Sequence, residues 1–185
     1  MENLNLANFI SLLRILLVFP LIYLLQEFTN SNSNIIGWYS FFVILIIVIS
    51  DFLDGFVARK LGQVTNLGKA LDPIADKVCM MAVLTYLIIN KGFLFLLFFI
   101  LLSLRDIYII IIVSYLINTQ EEVFQSNLSG KWFVGISALM MASYIYIDNS
   151  TINISLYAVS IILMCISTYE YSTRYLKVFL LLDKK

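Results

Sequence analysis

Histidine is absent from the 185-residue chain, and cysteine and proline occur only twice each. Without an imidazole, His-bound zinc, Ser–His–Asp triads and His acid–base chemistry are all excluded. Cys79 and Cys165 both sit inside apolar stretches at no metal-ligand spacing, so neither a disulfide framework nor a thiolate metal site is expected. Charge is scarce as well. Only 13% of residues are charged, with twelve basic against twelve acidic. That is too few for the charged shell of a soluble domain of this length. The zero net charge also lacks the basic footprint of a nucleic-acid binder, so no nucleic-acid partner is expected.

What the chain has instead is apolar length. Hydrophobic residues make up 61% of it, and the mean hydropathy is +0.93. Six apolar runs follow one another: Ile10 to Leu25, Ile35 to Ser50, Leu71 to Ile89 (interrupted early by Pro73), Phe93 to Ile117, Trp132 to Ile147, and Ile152 to about Tyr171. The first run lacks the basic flank and small-residue cleavage site of a signal peptide, so it is read as a membrane helix. Runs of this length without period-2 alternation are helices rather than barrel strands. The expectation is an all-α, polytopic membrane protein with six transmembrane helices. It forms a single domain over 1–185, with a short interfacial lead-in at residues 3–9.

Charge orients these spans. Arg59, Lys60, Lys69, Lys77, Lys131, Arg174, Lys177, Lys184 and Lys185 fall in one set of flanking segments, and the opposite set holds only Lys91. The positive-inside rule then puts both termini in the cytoplasm.

Four of the twelve acidic residues lie where the second and third runs face that same side: Asp51, Asp54, Asp72 and Asp76. The first two are spaced i, i+3 and the last two i, i+4, so each pair shares a helix face. Gly62 and Gly68 lie in the segment between the pairs, which is long enough to turn the chain back and set the pairs opposite each other. Four carboxylates at close range need a counter-charge. Hard oxygen ligands suit Mg²⁺ or Mn²⁺. A pair of surface ion-paired helix ends would explain one such aspartate, but not four spaced so regularly beside membrane spans. Gly55 and Ala58 leave room for a flat ligand to approach the backbone, Gly68 does the same on the facing helix, and Arg59 has the fork geometry that grips phosphate.

These residues spell D-x2-D-G-x2-A-R-x8-G-x3-D-x3-D from Asp51 to Asp76 without a departure. The pattern resembles that of the CDP-alcohol phosphotransferases, six-helix membrane enzymes, usually homodimers. They transfer a phosphatidyl or similar group from a CDP-linked donor to an alcohol and release CMP. The resemblance implies that Asp51, Asp54, Asp72 and Asp76 hold two divalent cations and that Asp76 is also the general base for the acceptor hydroxyl. It likewise implies that Gly55, Ala58, Arg59, Thr65 and Gly68 contact the donor. Two metals there would neutralise the leaving group and polarise the phosphoryl under attack.

The opening Asn5-Leu-Ala-Asn8-Phe-Ile-Ser-Leu-Leu-Arg14 is similar to the N-L-P-N-x-L-T-x-x-R start of the phosphatidylglycerophosphate synthase branch and its cardiolipin synthase relatives, departing at Ala7, Ile10 and Ser11. Leu71-Asp72-Pro73-Ile-Ala-Asp76-Lys77 and Ser129-Gly130-Lys131 resemble the same branch. The implied donor is CDP-diacylglycerol and the implied acceptor glycerol 3-phosphate. Arg105 and Lys131 are the candidate ligands of the acceptor phosphate, and a bacterial inner membrane is the expected location. Phosphatidylglycerol, the cardiolipin synthase acceptor, is the alternative substrate, because Arg105 is followed by Asp106 where many glycerol-phosphate enzymes have Glu. Asp106 is also the structural alternative as partner of Arg105. Glu170, Tyr169, Tyr171 and Tyr175 read as an interfacial belt. Outside the family, a small cation transporter would use the aspartates but leave Gly55, Arg59 and Gly68 without a role. A catalytically dead assembly protein would not need the complete pattern.

Overall fold

The computed structural model describes the backbone of residues 6–60, 66–119 and 127–182, and the side chains among them except at 6–8, 52–60, 66–71, 113–119 and 175–182. All six described elements are helices: α1 (Leu6–Ser31), α2 (Asn34–Lys60), α3 (Asn66–Lys91), α4 (Phe93–Thr119), α5 (Leu128–Tyr146) and α6 (Ser150–Leu182). They fall into two compact units, Met1–Asn90 and Lys91–Lys185. Among the described residues, five helices are long and apolar enough to cross a membrane, over Phe9–Ser31, Asn34–Asp51, Phe93–Ile112, Leu128–Tyr146 and Ser150–Arg174. The chain is an integral membrane protein. Over its described residues α3 is not one of those five helices; that stretch carries Asp72, Asp76 and Lys77. Pro73 does not break α3, which runs through it, just as α1 runs through Pro20. A proline removes one backbone donor, and a helix held by its neighbours continues past that loss. From Leu6 onward the predicted lead-in is continuous with α1, and its first residues lie outside the described ones.

In the first unit, α1 buries one stripe: Ser11, Arg14, Val18, Leu21 and Leu25. Their spacing alternates three and four residues, the seam of a helix packed against neighbours. The stripe is apolar along most of its length and polar at its Ser11–Arg14 end. Large apolar residues on other faces, Phe19, Ile35 and Trp38 among them, are exposed, as expected where lipid replaces water. Asn32, at φ +49°, turns α1 into α2 and donates its N–H to the Phe28 carbonyl at 2.9 Å. Asparagine tolerates this left-handed conformation better than most residues. The Phe28 ring then lies on Gly37, where an added Cβ would meet Cε2 at 2.7 Å, so glycine permits close approach of the two helices. Ala75, Cys79, Leu84 and Leu87 supply the buried face of α3, and a Thr29–Tyr86 hydroxyl pair joins α1 to α3.

The second unit is built on aromatic and methionine packing. Phe95, Phe98 and Leu102 of α4 are buried, as are Phe133, Met140 and Met141 of α5 and Met164 of α6. Phe95 meets Tyr144 edge-on at 4.8 Å, and Phe98 stacks on Phe133 at 6.4 Å. The Tyr157 hydroxyl donates to the Leu94 carbonyl at 2.9 Å, giving its polar end a partner. Asn149 caps α6, its side-chain oxygen accepting from the N–H groups of Thr151 at 3.1 Å and Ile152 at 3.2 Å.

Candidate active site

Three helices of the first unit bring polar groups together. Asp51 lies in the second half of α2, as the last residue of its candidate membrane span, and Asp72 and Asp76 lie in the first part of α3. Between them comes Arg14 of α1, whose side chain is 1% exposed. One guanidinium nitrogen, Nη1, donates to Asp51 Oδ1 at 2.9 Å and also pairs with Asp76 Oδ1. Ser11, one turn earlier on the same stripe, donates its hydroxyl to Asp72 Oδ1 at 2.7 Å. Cys79 closes the floor, its thiol directed at the Arg14 carbonyl at 3.8 Å.

A guanidinium inside a membrane span is costly unless it is paired, and α1 resolves this by pairing Arg14 with carboxylates from two other helices. The Asp51 and Asp76 side chains stay 46% and 54% exposed. Both carboxylates are therefore reachable while Arg14 holds one oxygen of each. Asp51, Asp72 and Asp76 together outweigh the single charge of Arg14, and that surplus of hard, negative oxygen suits a divalent cation. Among the described residues, no three acidic, histidine or cysteine side chains gather closely enough to hold a metal ion. Asp54 belongs to α2, but its side chain lies outside the described set. The donor chemistry thus fits the predicted metals, and the described side chains alone do not close a coordination sphere.

The remaining predicted donor contacts fall mostly beyond description. Gly55, Ala58 and Arg59 lie on α2 and Gly68 on α3, with their side-chain positions outside the described set, and Thr65 lies outside the described residues altogether. Sequence reasoning gave no role to Ser11 and Arg14, which it met only as the end of an opening motif. A signal was present nonetheless, since an arginine at the fifth position of the first apolar run requires an anionic partner.

The second unit holds a separate polar cluster. Arg105 of α4 is 11% exposed and pairs with Asp106 at 3.4 Å, the structural alternative read from the sequence. It also donates to Ser167 Oγ at 2.9 Å and lies 4.8 Å from the centre of the Phe133 ring. Its Nε is buried without a hydrogen-bond partner. A Cβ on Gly130 would come within 3.8 Å of Arg105 Nη2, so the Ser129-Gly130-Lys131 segment opens α5 next to this arginine. Lys131 itself is exposed in the first turn. Asn127 precedes α5 without a side-chain capping bond, and its amide nitrogen donates to Glu170. Glu170 also accepts from Ser129 Oγ at 2.7 Å, and the Tyr171 hydroxyl accepts the Asn127 N–H at 3.1 Å. Glu170 and Tyr171 therefore tie the start of α5 to α6, a role the belt reading missed. Exposed Tyr169 is consistent with such a belt. Beside Arg105, a cavity of about 540 Å³ runs between α4 and α6, lined largely by Leu101, Leu104, Ile161 and Met164.

A family model described as CDP-alcohol phosphatidyltransferase matches residues 4–174. A protein of Aquifex aeolicus named CDP-diacylglycerol--glycerol-3-phosphate 3-phosphatidyltransferase is 35% identical over 177 residues, covering 92% of this chain and 95% of that relative. Proteins with the same name from Rickettsia typhi and Mycoplasma genitalium are 38% and 43% identical, over 47% and 49% of this chain and 46% and 38% of their own lengths.

Proposed function

The chain belongs to the CDP-alcohol phosphatidyltransferase family, and on that premise we propose that it transfers the phosphatidyl group of CDP-diacylglycerol to glycerol 3-phosphate, giving phosphatidylglycerophosphate and CMP. The observation that carries this reading is the convergence of Asp51 and Asp76, both members of the family pattern, on one buried cation while their own side chains stay about half exposed. The name and coverage of the Aquifex relative support the choice of acceptor.

Asp51, Asp54, Asp72 and Asp76 would hold two divalent cations, Mg²⁺ or Mn²⁺. Bound there, the metals would neutralise the departing CMP and polarise the phosphorus under attack. The acceptor hydroxyl oxygen forms the new P–O bond, the P–O bond to CMP breaks, and the hydroxyl proton passes to Asp76. Asp76 is held at one oxygen by Arg14 and stays half exposed, so an acceptor can reach it. Gly55, Ala58, Arg59, Thr65 and Gly68 receive the donor. Arg105 and Lys131 receive the acceptor phosphate. The nearness of Arg105 to the uncapped first turn of α5 supports this, since helix N-termini favour anions. The charge bias favours cytoplasmic termini and a cytoplasmic active site in a bacterial inner membrane, and the family resemblance favours a homodimer.

One observation favours a second reading. The apolar cavity beside Arg105 suits an acyl chain, as a cardiolipin synthase with phosphatidylglycerol as acceptor would need. Purified protein given CDP-diacylglycerol, Mg²⁺ or Mn²⁺ and one acceptor at a time separates the two. CMP release with glycerol 3-phosphate alone supports the first reading, and release with phosphatidylglycerol alone supports the second.

A further inference from the structure

The opening motif of the chain has no part in the reaction as proposed, yet its last residue lies at the centre of the carboxylate site. Arg14 is buried to 1% exposure and a single nitrogen meets Asp51 from α2 and Asp76 from α3. Nothing about helix packing alone calls for this. An apolar residue at position 14 would continue the Val18, Leu21 and Leu25 stripe without the cost of burying a charge. What the guanidinium adds is specific. Two like-charged side chains on different helices are drawn to one point, and both side chains stay about half exposed. Ser11, one turn away, does the same for Asp72. α1 thus contributes no carboxylate, but it grips one oxygen of every described carboxylate in the pattern.

We propose that Arg14 is a positioning residue, a built-in cation that aligns Asp51 and Asp76 for the divalent ions and the acceptor, with Ser11 aligning Asp72. This rests on the two-metal reading above. Partners that orient metal-binding groups commonly change metal affinity or activity by about 10- to 100-fold when removed. The positioning role differs from a purely structural one in its coupling to metal. If Arg14 supplies charge that a divalent ion also supplies, then Mn²⁺ stabilises the protein more once Arg14 is gone. If Arg14 merely holds helices together, the loss is the same with and without Mn²⁺.

The experiment uses the full chain in detergent, as wild type, Arg14→Gln, Arg14→Lys and Ser11→Ala. Mn²⁺ binding is followed through the spectroscopic signal of the free ion. Melting is recorded in chelator and in saturating Mn²⁺, and CMP release is measured under saturating metal. Arg14→Gln is expected to melt below wild type in chelator and to recover most of that deficit in Mn²⁺, while turnover stays roughly 100-fold down. Arg14→Lys keeps a cation, so it should melt near wild type in chelator and regain about tenfold of the lost turnover. Ser11→Ala should fold normally and bind Mn²⁺ roughly tenfold more weakly. A melting deficit for Arg14→Gln that Mn²⁺ leaves untouched, or wild-type turnover in that variant, overturns the proposal. If Arg14→Gln does not fold, unchanged turnover in Arg14→Lys together with unchanged Mn²⁺ affinity in Ser11→Ala overturns it equally. Wild-type protein that transfers without binding Mn²⁺ or Mg²⁺ overturns the two-metal reading itself.

Discussion

Replacing Arg105 by glutamine separates its structural work from its proposed contact with the acceptor. The side chain now has three partners: Asp106 at 3.4 Å, Ser167 at 2.9 Å and the Phe133 ring at 4.8 Å. The Ser167 bond contributes about 1 kcal/mol and the ring contact about 0.5–2 kcal/mol. Breaking a mostly buried ion pair costs up to about 3–5 kcal/mol. The 3.4 Å separation and the residual 11% and 17% exposure of the two side chains put this pair below that range. A destabilisation of roughly 2–4 kcal/mol is expected. Charge-assisted bonds to an acceptor phosphate contribute on the order of 1.5–3 kcal/mol each, so the KM for glycerol 3-phosphate should rise roughly 10- to 100-fold. The KM for CDP-diacylglycerol should move little, because Arg59 and the metals hold that end in the proposed site. The double variant Arg105→Gln/Asp106→Asn decides between the roles. Removing the counter-charge along with the arginine should restore most of the melting temperature, with the acceptor KM still raised. Recovery of the acceptor KM in the double variant would show that Arg105 serves only as the partner of Asp106. A rise in the donor KM instead would move Arg105 to the nucleotide site.

Other perturbations probe other parts of the molecule. Asp72→Asn removes the charge of one proposed metal ligand while leaving an acceptor oxygen for Ser11, so it should fold and lose transfer at least about 1,000-fold. Near-normal CMP release from folded variant protein would remove Asp72 from the metal site. Cysteines placed at Lys60 and Lys185 should both be labelled from the cytoplasmic side by a membrane-impermeant reagent, and labelling of either from outside would reverse the topology. Gly37→Ala puts a methyl group 2.7 Å from the Phe28 ring edge. The ring must shift, which should cost about 1–3 kcal/mol in thermal unfolding with no change in either KM. An unchanged melting temperature would mean that Phe28 moves aside freely.

Hydropathy made the helices legible because the lipid interior imposes one long apolar run for each crossing. It was silent on where those helices end. α2 continues to Lys60 and α6 to Leu182, well past the apolar runs, because a helix persists into water for as long as its own backbone bonds and neighbours hold it. The aspartate pairs were legible from spacing alone, since i, i+3 and i, i+4 positions share a face whatever surrounds them. The meeting of Arg14 with Asp51 and Asp76 was not, because those residues lie 37 and 62 positions apart in sequence and tertiary packing brings them together. Glu170 misled for a related reason. Beside exposed Tyr169 it reads as part of an interfacial belt, and only the approach of Asn127 and Ser129 reveals it as a tie between helices. Arg105 was legible as a residue needing an anion, and Asp106 beside it already met part of that need.

The most direct test follows glycerol 3-phosphate itself into lipid. Purified protein is incubated with CDP-diacylglycerol, Mg²⁺ and glycerol 3-phosphate labelled in both its carbon and its phosphate, and CMP is counted alongside the organic-soluble product. The account predicts that both labels enter the lipid together, one for each CMP released, and that a chelator stops the transfer. CMP release with no label in the lipid, or lipid formed only when phosphatidylglycerol is supplied, would contradict it.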